Sequence, residues 1–237
     1  SSGADDYMTK PIEFEELIDQ ANVLLVMDVL DSRDRIEQAL DRLIDEKALV
    51  CVSHGGRFIV AKPEIRAMEE DLAKVFRNGG APNPHFPDQD RLSDMVAETA
   101  PQLNAGQRQA AVTALRHSIS LISGGAGSGK TFTVSAITGV YEEQGLRVTL
   151  AAPTGKAAKR LEQVVGHPAG TIHRLLGFNG KDYARGPDDP IAADVIIVDE
   201  VSMVDVPLAW HLFQSIDLER SAVVLVGDHN QLPPVGP

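Results

Sequence analysis

The spacing of hydrophobic positions changes near residue 101. From there onward, short apolar runs alternate with stretches predicted to be helical. The apolar runs occupy 118–123, 147–152, 194–199 and 222–226, and the helical stretches lie near 131–143, 155–164 and 205–216. Strands that alternate with helices are typical of a parallel sheet with crossover helices. The pattern therefore predicts an α/β fold for residues 101–237.

The part of the chain before residue 101 has a different pattern. The predicted elements are a helix around 36–44, a hairpin with strands 48–52 and 57–60 joined by a turn at 53–56, and a helix over 63–77. Pro63 lies in the first turn of that last helix and Gly79 lies just beyond its end, as is usual for these two residue types. A helix followed by a hairpin is the outline of a winged-helix unit.

Composition marks a boundary between the two patterns. Residues 78–87 are rich in Gly, Pro and Asn, which is typical of a linker. We expect a small, mostly helical, winged-helix-like N-terminal region over 1–80, a linker over 81–100 and the α/β domain over 101–237. Residues 3–11 are also similar to the last-strand loop of a response-regulator receiver, but the match is too short to predict a further domain.

Charge and composition narrow the class of protein. The formal net charge of −12 argues against a generally basic nucleic-acid binder. Residues 144–174, however, hold five basic side chains and one acidic one, which suits either a phosphate backbone or a solvated helix face. No apolar run reaches the length of a membrane span, no secretory signal opens the chain, and Cys51 is the single cysteine. We expect a cytoplasmic protein with no membrane contact, no internal disulfide and no cysteine zinc cluster.

A glycine-rich loop carries the strongest chemical signal. Residues 124–131 read Gly-Gly-Ala-Gly-Ser-Gly-Lys-Thr and fit the phosphate-loop pattern G-x-x-x-x-G-K-[ST]. Glycines let backbone N–H groups approach a phosphate chain, Lys130 supplies a positive charge and the Thr131 hydroxyl can ligate Mg²⁺. The predicted nucleotide contacts are Gly125, Ala126, Gly127, Ser128, Gly129, Lys130 and Thr131.

Two further strands end in polar side chains. The β-branched run 195–198 is followed by Asp199, a candidate Mg²⁺ ligand, and Glu200, a candidate base for the attacking water. Adjacent residues of a strand point to opposite faces, so these two roles require the strand to end before them. After the run 223–226, Gln231 is placed to contact a γ-phosphate and to report its loss.

The polar segment 103–110 has two interpretations. Asn104 and Gln107 have the spacing of a helix capping box, which is a structural role. The amide of Gln107 can also read adenine, which would select ATP over GTP. The two roles are compatible.

These motifs, in this order, make the chain similar to superfamily-1 DNA helicases of the RecD/TraA type. The most specific matches are Ala-Pro-Thr-Gly-Lys-Ala-Ala at 152–158 and Thr-Ile-His-Arg-Leu-Leu-Gly at 171–177. The resemblance is dense over 101–237 and looser over 12–77. It implies a RecA-like first motor domain of the P-loop NTPase fold that follows a helical N-terminal region.

The resemblance also implies cofactors and partners. ATP and Mg²⁺ would bind at the phosphate loop, with Lys130, Glu200 and Gln231 serving catalysis and Thr131 and Asp199 holding the metal. Single-stranded DNA would be gripped by residues that follow two other strands, namely Thr154, Gly155, Lys156, His173 and Arg174. Ser202 and Met203 are expected to serve as relay and packing residues. The parent protein would translocate 5′→3′ and unwind duplexes, with repair or recombination proteins as partners.

A second motor domain belongs to this resemblance. In the family it supplies an arginine finger, and such a group contributes about 10³- to 10⁵-fold to rate. The sequence ends at Pro237, within the third helicase motif. We therefore expect a helicase fragment that hydrolyses ATP poorly alone and needs the second motor domain of the same polypeptide. The alternatives are a nucleic-acid-binding module and a P-loop ATPase that is not a helicase.

Overall fold

A computed structural model describes residues 33–54, 57–78, 80–86, 88–125, 127–228 and 231. The chain divides into two compact units between Asp71 and Leu72. The receiver-like residues 3–11 lie outside the described part, as do Gly55 and Gly56 of the predicted turn, Ala126 of the phosphate loop and most of the segment after Asp228.

The first unit contains a helix and a hairpin. Helix α1 spans Arg33–Asp45, strand β1 Val50–His54, strand β2 Arg57–Ala61, and helix α2 Pro63–Asn78, which crosses the boundary between the units. The strands are antiparallel, with Val50 opposite Ala61 and His54 opposite Arg57. The order of elements confirms the predicted helix, hairpin and helix.

The second unit is built on a five-stranded parallel sheet. Its strands are β3 at Ile119–Ser123, β4 at Val148–Ala152, β5 at Ala169–Thr171, β6 at Val195–Val198 and β7 at Ala222–Gly227. Their order across the sheet is β3-β7-β6-β4-β5 and every recorded pairing between them is parallel. The predicted α/β fold with a P-loop sheet is confirmed.

Helices connect and cover these strands. They are α3 at Leu92–Thr99, α4 at Ala105–Arg116, α5 at Lys130–Glu143, α6 at Gly155–Val165, the short α7 at Ile172–Leu175 and α8 at Val206–Gln214, with a 3₁₀ turn at Val201–Met203. All four residues of β6 are fully buried. Successive strand residues face opposite sides, so burial of the whole strand means that both faces of the sheet are covered.

The segment 81–100 carries structure that its composition does not suggest. Leu92 and Val96 of α3 are fully buried in the same core as Val134 and Ile137 of α5. They lie one helical turn apart and form an apolar stripe, which packs although Pro, Gly and Asn dominate the preceding residues. The compact units divide within α2, earlier in the chain than the domain limits given above. Those limits stay predictions.

A bidentate ion pair joins the amino ends of two strands. Arg147, just before β4, donates from Nε and an Nη to the carboxylate of Asp194, just before β6, both at 3.0 Å. The backbone N–H of Arg147 donates to the same carboxylate at 2.8 Å. These hydrogen bonds lower the pKa of Asp194 to about 2, because they stabilise the ionised form.

A buried hydrogen bond fixes the segment before α3 to the core. Asn83, only 2% exposed, donates from its side-chain amide to the hydroxyl of the fully buried Tyr141 at 2.6 Å. Replacing Tyr141→Phe keeps the ring but leaves a buried donor unpaired. We expect the free energy of unfolding in urea to fall by about 1–3 kcal/mol.

The matched control is Tyr183→Phe, which removes a hydroxyl from a half-buried ring. We expect its effect to stay within about 0.5 kcal/mol. Equal stability of Tyr141→Phe and the unaltered chain would contradict a structural role for this bond.

Candidate functional site

The phosphate loop lies between β3 and α5. Gly127 and Gly129 have φ values of 77° and 81°, in the left-handed region that favours glycine. Gly129 also lies against another side chain, since a Cβ built there would clash with the Gln107 amide nitrogen. A larger residue at Gly129 would therefore be strained by the backbone conformation and would have to displace the Gln107 amide. The described part of the loop lies between a strand and a helix, and its nucleotide contacts stay predictions.

Lys130 begins α5 and its side chain turns back over the loop. Its Nζ donates to the carbonyl oxygens of Gly124 and, at 3.0 Å, of Gly125. The ammonium group is thus held at the mouth of the loop by weak neutral acceptors. A phosphate oxygen would be a stronger, charged acceptor for the same group.

The contacts of Gln107 bear on both of its predicted roles, as part of a helix capping box and as a reader of adenine. Its backbone N–H donates to Asn104 Oδ1 at 2.9 Å and its side-chain oxygen accepts from the Asn104 N–H at 3.1 Å, which confirms the capping box. Its amide nitrogen donates at 3.2 Å to the carbonyl of Ser128 in the phosphate loop. The side chain therefore borders the nucleotide site, and its role as an adenine reader stays a prediction.

The acidic pair follows the end of β6, as its two roles require. Strand β6 stops at Val198, Asp199 is 9% exposed, and Glu200 adopts a left-handed φ of 57°. The carboxylate of Asp199 accepts the backbone N–H of Glu200 at 2.9 Å. A left-handed conformation is unfavourable for a glutamate, so the site holds local backbone strain at the residue predicted to act as base.

Burial governs the protonation of Asp199. Loss of solvent is the main cause that raises its pKa above the ordinary carboxyl range, and the neighbouring Glu200 carboxylate adds to the rise. The Glu200 N–H, Lys130 and Arg160 oppose it. Arg160 lies on α6, after a different strand from Lys130, and sequence reasoning did not assign it to this site. The ionised carboxylate is therefore stabilised by cations from two sides.

A hydrogen bond joins the acidic segment to the third motif. Ser202 Oγ donates to Gln231 Oε1 at 3.1 Å, and the Gln231 N–H donates to the carbonyl of Asp228 at 3.1 Å. Gly227, at the end of β7, lies close to Val201, because a Cβ there would meet a Val201 methyl at 2.8 Å. Ser202 thus has the contact expected of a relay residue, although its role stays a prediction.

The residues predicted to bind DNA follow the next two strands. Thr154 caps α6, accepting the N–H of Ala157 at 3.2 Å, and its hydroxyl hydrogen stays available to another acceptor. Gly155 and Lys156 are exposed in the first turn of that helix. Because Ala152 pairs with Thr171 across β4 and β5, this turn and α7 begin side by side.

Helix α7 carries the other two predicted DNA residues. Arg174 is exposed, and the half-buried ring of His173 lies beside those of Phe178 and Tyr183. Sequence reasoning found His173 and Arg174 but missed these two aromatic residues. Both residues lie outside the recognised motifs. The sequence feature that could have identified them is the presence of two aromatic residues in a polar, glycine-containing segment directly after α7.

The described residues contain no group of three or more His, Cys, Asp or Glu side chains able to hold a metal ion. A phosphate-loop Mg²⁺ site needs no such group, since it draws on one hydroxyl, one carboxylate and the nucleotide. Within the same residues, no helix combines the length and apolar character needed to cross a membrane.

Opposite pKa shifts at Asp199 and Asp194 predict opposite effects of pH on stability. The raised pKa of Asp199 means that the unfolded chain releases this proton first, so its ionisation reduces stability as pH rises. We expect Asp199→Asn to be more stable than the unaltered chain at pH 7, with the difference vanishing at acidic pH.

Asp194→Asn provides the control of opposite sign. The lowered pKa of Asp194 adds stability above the ordinary carboxyl pKa, which is lost as pH falls towards 2. This variant should be less stable than the unaltered chain at pH 7. Urea unfolding at a series of pH values from about 2, below the ordinary carboxyl pKa, to about 8 measures both effects. A destabilised Asp199→Asn at pH 7 would refute the assigned role of burial.

Comparison with known proteins agrees with this geometry. The model of the AAA domain family matches residues 107–237, more than half of the chain. An ATP-dependent RecD2 DNA helicase of Deinococcus radiodurans is 44% identical over 119 residues, covering 50% of this chain and 16% of that protein. A RecBCD enzyme subunit RecD of Haemophilus influenzae is 36% identical over 155 residues, covering 54% of this chain and 24% of its own length.

A RecBCD enzyme subunit RecD of Mycolicibacterium smegmatis is also 36% identical over 155 residues, with 54% of this chain and 28% of that protein covered. The chain thus spans between 16% and 28% of the length of these relatives. The resemblance drawn from the motifs is confirmed. The chain belongs to the AAA domain family, and its larger, C-terminal part is similar to the corresponding region of RecD-type helicases.

Proposed function

We propose that this chain is the N-terminal region and first motor domain of an ATP-dependent DNA helicase. The observation that carries the proposal is the order of sites along one edge of the sheet. The phosphate loop, Gln231 and the Asp199–Glu200 pair follow three adjacent strands, β3, β7 and β6. The proposed DNA residues follow the next two, β4 and β5. ATP and single-stranded DNA would therefore occupy neighbouring halves of the same edge.

The residues present fit ATP and Mg²⁺. The left-handed glycines leave the loop open to a phosphate chain, and the ammonium of Lys130 can exchange carbonyl oxygens for phosphate oxygens. Thr131 and Asp199 would hold the Mg²⁺, and a cation beside Asp199 would offset the cost of ionising a buried carboxylate. Bound Mg²⁺ would neutralise charge on the β- and γ-phosphates.

Glu200 and Gln231 would divide the remaining chemistry. Glu200 would orient a water and accept its proton as the water oxygen attacks the γ-phosphorus and the bond to the β-phosphate oxygen breaks. Gln231 would respond to the γ-phosphate. Its amide oxygen is held by Ser202, which leaves its amide nitrogen as the donor that can face a phosphate.

The DNA half would use phosphate contacts. Lys156 and Arg174 supply exposed charge, while Thr154 and Gly155 supply a hydroxyl and free N–H groups at the start of α6. We propose 5′→3′ translocation of the parent protein, with a second motor domain of the same polypeptide and repair or recombination proteins as partners. Support for these proposals comes from the RecD-type motifs and from the similarity to RecBCD subunits.

Nucleotide binding is tested by Lys130→Ala. Removing the ammonium group deletes the charge that the loop carries towards phosphate. We expect affinity for a fluorescent ATP analogue with Mg²⁺ to fall about tenfold or more, corresponding to at least ~1.4 kcal/mol for a lost charged hydrogen bond. Lys62→Ala, an exposed lysine in the first unit, is the control and should bind as the unaltered chain does. Equal binding of the ATP analogue by Lys130→Ala and Lys62→Ala would contradict the assignment of the phosphate loop as the nucleotide site.

DNA binding is tested by the salt dependence of oligo-dT affinity. Each phosphate contact on a single strand contributes about 0.7 to the slope of log affinity against log salt concentration. Lys156→Ala should weaken binding and reduce that slope by about 0.7, whereas Lys62→Ala should leave the slope unchanged. A chain that binds ATP but shows no salt-dependent oligo-dT affinity would be a P-loop ATPase of another kind.

A further inference from the structure

Five aromatic rings form a continuous array beside the proposed DNA residues. His173 lies 5.4 Å from Phe178 and 6.2 Å from Tyr183, measured between ring centroids. Phe178 and Tyr183 are 4.9 Å apart, Tyr183 and His211 4.2 Å, and His211 and Trp210 5.0 Å. These distances are typical of direct ring contact. The array runs from α7 across the following loop to α8.

The loop that carries the array is fixed to α7. The N–H groups of Ala184 and Arg185 both donate to the carbonyl of Leu176, at 3.0 and 3.1 Å. Gly177 has a φ of 66°, and a Cβ there would come within 2.9 Å of the Ala184 side chain. The Phe178 N–H donates to the His173 carbonyl at 2.9 Å. The backbone that carries the Phe178 ring is therefore hydrogen-bonded to α7 in the absence of a ligand.

Phe178 stands at the open end of the array. Its side chain is 40% exposed, although it contacts two other rings. Tyr183 is half-buried, and His211 and Trp210 lie behind it on α8. The array therefore presents its outermost ring to solvent, in contact with the rings of His173 and Tyr183.

The surrounding charge favours a nucleic acid as the occupant. Arg174 and Lys181 are exposed on either side of Phe178 in the sequence, and residues 144–174 have a basic excess in a chain of net charge −12. Asp182 lies in the same loop, and the carboxylate of Asp205 near Tyr183 is engaged in capping α8 through the Leu208 N–H at 2.9 Å. Exposed aromatic rings beside cations suit the stacked bases and phosphates of a single strand.

We propose that Phe178, supported by His173 and Tyr183, is a stacking platform for a base of single-stranded DNA. The phosphates of that strand would be held by the start of α6, which lies next to α7 because β4 and β5 are neighbours. The inference rests on the proposed DNA-binding function and adds to it a contact that is made with bases rather than with the backbone. Stacking needs no hydrogen-bond pattern, so the platform would accept any base.

The test compares oligo-dT with an abasic strand of the same length, using the 237-residue chain. Phe178→Leu removes the ring but keeps an apolar side chain. We expect it to lower affinity for oligo-dT about fivefold to 150-fold, the range for loss of one stacked base. It should leave affinity for the abasic strand unchanged, since that strand offers no base to stack. Phe132→Leu is the matched control, because Phe132 is 41% exposed and follows β3 at the opposite edge of the sheet. It should leave binding of both strands unchanged.

Two further variants separate stacking from folding. Phe178→Tyr restores a ring and should bind oligo-dT as the unaltered chain does. Tyr183→Leu removes the support and should weaken oligo-dT binding but not abasic binding. Far-UV circular dichroism and affinity for the fluorescent ATP analogue report whether each variant is folded. If Phe178→Leu is unfolded, the test rests on Phe178→Tyr. A folded Phe178→Tyr variant that does not bind oligo-dT would overturn the platform.

The possible outcomes distinguish this inference from the function on which it rests. If the unaltered chain binds neither strand, the DNA-binding function itself is wrong. If it binds both strands and Phe178→Leu binds both equally well, the function stands and the platform is wrong. An equal loss of affinity for oligo-dT and for the abasic strand in Phe178→Leu would also overturn the platform. Self-association of the unaltered chain that Phe178→Leu abolishes would overturn it too, because the ring would then serve a protein contact.

Discussion

The parallel arrangement of the five strands is the constraint on which the rest of the second unit depends. Parallel strands place all their carboxyl ends at one edge of the sheet. Residues that are far apart in the sequence therefore become neighbours in space at that edge. The order β3-β7-β6-β4-β5 then sorts the motifs. Three neighbouring strands lead to the phosphate loop, the Asp228–Gln231 segment and the acidic pair, and the other two lead to the proposed DNA contacts. Arg160, on the helix that follows β4, has a charge that opposes the rise in the pKa of Asp199 after β6.

The site concentrates features that disfavour folding. Asp199 is buried with a raised pKa, Glu200 has a left-handed backbone and Lys130 is satisfied only by neutral carbonyl oxygens. Each is unfavourable locally and is maintained because the sheet fixes the backbone that follows its strands. Every residue of β6 is buried, and in β7 only Leu225 is partly exposed. A nucleotide with its cation would offset the cost of the buried Asp199 carboxylate and would give Lys130 a charged acceptor. The opposite edge shows the contrast, because Asp194 has a lowered pKa and a bidentate partner in Arg147.

Sequence predicted most of this fold, and the failures have physical causes. Strands β3, β4, β6 and β7 were predictable because each contains a short apolar run, and the runs of β6 and β7 are buried almost throughout. Strand β5 has only the residues Ala-Gly-Thr, without an apolar run, and was missed. Helix α3 was hidden by the Pro-rich residues before it. In the site, Lys130 begins α5, Asp199 directly follows β6 and Gln107 contacts the phosphate loop, while the roles of all three stay predictions. The ring array could not be predicted, because its members are distributed over residues 173–211 and only the packing of α7 against α8 brings them together.

The central claim is that the carboxyl edge of the sheet is a nucleotide site formed by β3 and β6 together. Amide hydrogen exchange, measured with and without a non-hydrolysable ATP analogue and Mg²⁺, tests it most directly. The account predicts slower exchange in the phosphate loop at 124–131 and in the acidic segment at 199–203, with no change in the hairpin of β1 and β2. Unchanged exchange in both segments at a saturating concentration of the analogue, or protection confined to the hairpin, would contradict it.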